Sequence, residues 1–222
     1  MRAVVPANVP MNLLRALAGL LLALAGARVA HAAEIEYAVI HRALGAAGEI
    51  AAYPRLRAVQ RIESKRDGVA PRAIAISIRA RRGRIEVPVA DDGSVALPFD
   101  DALLAENPVV QTNQPAGSLT LTLSVELRQP RGAIVPVAEV EAALAEADAL
   151  LARQHARARV RGVEFRFAGD ETGGVTLRGS GERVLVPDRA GRVIVMRIPD
   201  LSLYREIELA ARPVRILPFL DQ

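Results

Sequence analysis

The side chains with the type and spacing to attempt chemistry are His41, His155, the pairs Asp91-Asp92 and Asp100-Asp101, and the serine of Gly179-Ser180-Gly181. His41 would serve as a general base or a metal ligand. The sequence offers it no second nearby histidine and no H-E-x-x-H spacing, which would set two imidazoles on one helical face. Beside Ile40, it reads as a helix-flank residue with a hydrogen-bonded ring. His155 falls near the end of a second helical pattern, where a partly positive ring suits the carbonyl dipoles.

Carboxylate pairs can bind Ca²⁺ or divide acid and base roles in glycoside hydrolysis. Here the two pairs bracket one strand, and extended chain at about 3.3 Å per residue sets them at opposite ends of it. Asp92-Gly93 reads instead as a hairpin turn and Asp101 as a helix cap. Ser180 lacks the strand-turn-helix setting of a nucleophile elbow, and Gly173-Gly174 has no helix behind it to make a phosphate loop. With no cysteine there is no thiolate site and no disulfide. The sequence therefore assigns no catalytic residue, no metal and no cofactor. A carboxylate-dependent hydrolase using Asp91, Asp92, Asp100 and Asp101 is the alternative reading.

Asn113-Gln114-Pro115-Ala116-Gly117 is the candidate binding loop, with Asn113, Gln114, Pro115 and Gly117 as its residues. Its amides could meet a partner at the mouth of a sheet, and proline and glycine fix the turn. A sheet edge could also accept a partner strand, a mode that leaves almost no sequence signature. Arg79, Arg81, Arg82 and Arg84 form the densest basic run and read as a solvated hairpin tip without interleaved aromatics.

The elements that position these residues follow an N-terminal leader. Arg15 precedes an uncharged run of Leu and Ala from Ala16 to Ala27, too short at ~1.5 Å per residue to span a layer about 30 Å thick. Ala30-His31-Ala32 supplies the small residues of a cleavage site, so residues 1–32 are expected to be a cleavable signal peptide and not a permanent membrane anchor. Met11 is a second candidate start. Arginine and lysine number 29 against 25 acids, and Arg2, Arg15 and Arg28 belong to the leader. The remainder is nearly balanced, which removes the clustered positive field that nucleic acid requires.

Past the leader, apolar residues recur at helical spacing twice: Tyr37, Ile40, Leu44, Ala47 and Ala51, then Val137, Val140, Leu144, Ala147 and Leu151. Pro136 suits a helix start, and Pro54 a helix stop. Alternation follows each helix. Ile74-Ile76-Ile78, Ile85-Val87-Val89 and Val95-Leu97-Phe99 predict an antiparallel meander, matched by strands through Val163-Phe167, Val175-Leu177, Val184-Val186 and Val193-Val195. Superposing Gly93 on Gly191 also brings Pro115 onto Pro213 and Leu119 onto Leu217. Ser118 to Arg128 alternates most cleanly, with Leu119 to Leu127 on a buried face and Thr120, Thr122, Ser124 and Glu126 on a wet one. Asp100 to Pro108 predicts a short helical turn, with Pro199 to Glu206 as its counterpart.

These patterns predict an α+β fold of two tandem repeats, residues 33–130 and 131–222, each a helix packed on an antiparallel β-meander. A β-sandwich with peripheral helices is the alternative. The functional expectation is a periplasmic or secreted, non-enzymatic binding or accessory protein whose partner is another envelope protein.

Overall fold

The computed structural model describes residues 32–168 and 173–221. The expected leader therefore lies outside the described residues, apart from Ala32, where the first strand begins. No helix among the described residues is long and apolar enough to cross a membrane. The fold is mixed α+β, with antiparallel strands predominating.

In the first half, β1 (Ala32–Glu36) leads into α1 (Tyr37–Ala43) and α2 (Ala46–Ile50). The sequence pattern predicts one continuous helix here. Gly45, a poor helix former, falls where it breaks, and its N donates to Arg42 O in a tightened turn. There follow β2 (Leu56–Ser64), β3 (Ile76–Ala80), β4 (Gly83–Val87), β5 (Ser94–Val95), α3 (Asp101–Glu106), β6 (Val109–Pro115) and β7 (Leu119–Leu127). The second half comprises β8 (Ile134–Pro136), α4 (Val137–Arg153), β9 (Val160–Arg166), β10 (Val175–Gly179), β11 (Glu182–Leu185) and β12 (Arg192–Met196). A helical turn at Arg197–Leu201, β13 (Tyr204–Leu209) and β14 (Arg215–Leu220) complete it.

The strands of each half divide between two sheets: β1-β6-β3-β4 and β5-β2-β7 in the first, β8-β13-β10-β11 and β12-β9-β14 in the second. Counted within each half, both orders are the same. The simple meander expected from alternation is thus corrected. Only the hairpins β3-β4 and β10-β11 pair with their sequence neighbours, while β5 and β12 cross to the other sheet. Gly93 explains the crossing. At φ 78° it turns the chain so close to β2 that an added Cβ would sit 2.8 Å from the Ile62 carbonyl oxygen.

Both sheets of the first half feed one core, with Ile76, Ile78 and Val110 meeting Ile62, Val95 and Leu123 under Tyr37 and Ile40 of α1. In the second half, α4 presents Val137, Val140, Leu144, Ala147 and Leu151 to Val163, Phe165, Leu177 and Ile207. Ile50, Leu56, Val125 and Leu127 of the first half join this second core, so the halves share apolar packing.

Candidate functional site

Three features of this scaffold have the chemistry to act: an apolar cavity inside the first half, a cleft where the halves meet, and a buried ion cluster beside that cleft. The cavity, about 100 Å³, lies between the two sheets of the first half, against Ile35, Ile62, Val110, Leu119 and Leu121. Pro115, Ala116 and Gly117 line it at the β6-β7 turn, and Ala33 and Glu34 at β1. Gly117 holds φ 76°, the left-handed conformation that glycine adopts without strain. β1 pairs only with β6 among the described residues, so its other edge is open. Ser118 O accepts from Lys65 N at 2.7 Å, which places the chain's sole lysine, an exposed one, beside this turn.

The expected binding loop is divided by the structure. Asn113, Gln114 and Pro115 belong to β6, and only the turn after them is a loop. Asn113 is a fastener: its Oδ1 accepts from Ala75 N at 2.9 Å and its Nδ2 donates to Ala73 O at 2.8 Å. Gln114 is buried, donates to Asn113 Oδ1, and leaves its own Oε1 without a partner. Pro115 and Gly117, with Ala116 between them, reach the cavity.

The second concavity, about 500 Å³, opens where the connection 128–133 passes over α4 and β8. Its floor is apolar, from Leu127, Val135, Val140, Ala143, Phe165 and Ile216. Arg55, Arg128, Arg131 and Glu139 stand around it. Arg55 is already neutralised, its Nη1 2.7 Å from Glu146 Oε1. The expected repeat boundary at 130/131 falls in this connection, and no local pattern marks a site there, because the cleft is walled by both halves.

Glu126 corrects the expectation that its face of β7 is wet. Its side chain is 0% exposed and accepts from Arg61 Nη1 at 2.6 Å, Arg57 Nη2 at 2.8 Å and Arg215 Nε at 2.8 Å. Arg215 arrives on β14, which runs beside β7, so a position polar by pattern is sealed by the other half. Burial pulls the Arg215 guanidinium below its ordinary pKa, and the nearby Arg61 charge adds to this against the opposing pull of Glu126.

The aspartates have structural partners. Asp100 caps α3, its Oδ1 accepting from Ala102 N at 2.7 Å and Leu103 N at 3.3 Å. These bonds hold its carboxyl below the ordinary range. The cap is thus Asp100 and not Asp101, which lies in the first turn. Asp92 Oδ1 accepts from Ser94 N at 2.9 Å, and Oδ2 lies 3.5 Å from Arg61. Partial burial raises the Asp92 pKa, but the bonds from Ser94 and the Arg61 charge outweigh it and leave a net lowering.

His41 stacks on Phe99 with centroids 4.0 Å apart and planes at 12°, and its Nε2 is buried without a partner, so the expected hydrogen-bonded ring is a stacked one at that nitrogen. His155 follows α4 in a left-handed conformation, φ 53°, its N–H donating to Ala152 O. Arg79, Arg81, Arg82 and Arg84 are exposed around the β3-β4 hairpin, as their spacing suggests. Among the described residues no group of three His, Cys, Asp or Glu side chains could hold a metal ion. No protein-family model matches the chain, nor does any curated protein or solved structure.

Proposed function

We propose that this chain is an exported, non-enzymatic binding protein of the cell envelope, built from two copies of one α+β unit. In this reading it holds an extended segment of a partner envelope protein. Duplication is supported by the shared strand order and by the paired glycine turns. Ala90 N donates to Ser94 O and Asp188 N to Arg192 O, both at 2.9 Å, around Gly93 at φ 78° and Gly191 at φ 70°. The ladders revise one detail of the superposition. Arg61 faces Ser94 and Thr122, and Arg166 faces Arg192 and Arg215, so Thr122 corresponds to Arg215 and Leu119 does not correspond to Leu217.

The observation that carries the binding reading is the apolar cavity at the Pro115–Gly117 turn, beside the open edge of β1. A strand added to β1 gains backbone hydrogen bonds, and a pocket that takes one of its side chains gives selectivity. Cavities of roughly this size accept a single apolar group, as engineered cavities of about 150 Å³ accept benzene.

The test is in-cell cross-linking of the tagged protein, comparing the wild type with Leu121→Phe, which fills the cavity from β7. The expected result is a leaderless chain joined to one dominant envelope protein, lost in a variant whose thermal stability is unchanged or raised. Capture that survives Leu121→Phe would remove the cavity from the reading, and absence of any specific capture by the wild type would remove the reading itself.

A further inference from the structure

We propose that the cleft between the halves is a second binding site, for a small amphipathic carboxylate: an apolar body lying on the floor and a carboxylate held by Arg128 and Arg131. Its volume, about 500 Å³, falls within the several-hundred-Å³ range of small-molecule sites, far beyond the cavity of the first half. The floor is the outer edge of the shared core, so it is preformed, and the cleft lining is divided about evenly between apolar and polar surface.

The rim supplies the charge. Arg128 spends its Nε on Pro54 O at 2.6 Å, and neither Arg128 nor Arg131 is ion-paired among the described residues. Guanidinium groups left in this state match a carboxylate in geometry and charge. Glu139 is the one acid on the rim, and Arg55 is matched by Glu146, so the balance favours an anion. The start of α4 also lines the cleft through Glu139 and Val140, with no side-chain cap at Pro136, and its positive dipole end, partly offset by Glu139, faces the same space. A neutral head group gains only hydrogen bonds from these guanidinium groups, and a cationic one is repelled by both.

Decanoate is the probe, with decanol and decylammonium as controls, measured by isothermal titration calorimetry on the full mature chain. The expected result is saturable one-to-one binding of decanoate, at least tenfold tighter than decanol, and no binding of decylammonium. The Arg128→Ala/Arg131→Ala double variant should lose decanoate affinity tenfold or more, with an unchanged melting temperature in the absence of ligand. Ala143→Phe, which fills the floor, should abolish binding of both decanoate and decanol. Leu121→Phe should leave decanoate binding intact, which separates this site from the cavity of the first half. Equal affinity for decanoate and decanol, an unaffected double variant, or no binding to the wild type would each overturn the proposal.

Discussion

The two halves thread their strands in the same order yet differ at the edges of their outer sheet faces. Across the four-stranded sheet of the first half, one row of ladder partners reads Glu86, Ser77, Gln111, Glu34. The row at the same place in the second half reads Val184, Thr176, Glu208, Ile134, with Val184 62% and Ile134 59% exposed. Charge at a sheet edge discourages further pairing, and apolar β-branched residues do not. The interiors differ in the other sense. The first half has three short helices and a cavity, whereas the second packs around the seventeen-residue α4. One strand order thus tolerates charged edges around short helices and a cavity, or apolar edge residues around one long helix. Packing and surface are set separately by side chains that the backbone order does not dictate.

The junction is where this comparison breaks most easily. Replacing Glu126 by Ala leaves Arg61 and Arg215 without their shared anion, and the expected cost is about 3–5 kcal/mol in chemical denaturation. Replacing Glu126, Arg61 and Arg215 together by Leu should recover most of that loss. A cost below ~1 kcal/mol for the single change would mean that the cluster does not join the halves.

Next come the two cores. Ile78 on β3 and Leu177 on β10 are both fully buried. Each change to Ala should cost about 2–5 kcal/mol, with Leu177→Ala the larger, because the long helix α4 packs over the second core and limits its collapse, while the first core already contains a void. Equal unfolding midpoints for the two variants would show that the halves are packed alike.

The smallest expected effect concerns the helix ends. Asn107 ends α3 at φ 49° and His155 follows α4 at φ 53°, both in the left-handed region. Asparagine tolerates that conformation and histidine does so less readily. His155→Gly should therefore raise stability by about 1 kcal/mol, as read from paired thermal melts. Asn107→Gly should not, because Asn107 Oδ1 accepts from Ala38 N at 2.9 Å and its Nδ2 donates to Glu36 Oε2 at 3.2 Å.

Much of the second half was legible in the sequence because α4 is long and its apolar stripe unbroken. The residues predicted for it are those it buries. β2 was not, since Gln60 interrupts its apolar face and Arg57 and Arg61 mark the other as wet, whereas Arg61 is buried there against Glu126 of β7. β6 was cut short for a different reason. Pro115 and Gly117 signal a turn, and Asn113 and Gln114 look like turn residues until the fastening of Asn113 to Ala73 and Ala75 is seen. The cavity and the cleft leave no local pattern, because their walls come from distant strands, and in the cleft from both halves.

The lysine beside the cavity mouth makes the molecule its own reporter. Lys65 is the only side-chain amine in the sequence, so an amine-directed fluorophore has one side-chain address, next to the Ser118 carbonyl at the β6-β7 turn. A polarity-sensitive dye attached there would register whatever enters the mouth without any engineered residue. The same chemistry leaves the arginine-lined cleft unlabelled, so the two concavities can be read independently in one unmodified chain.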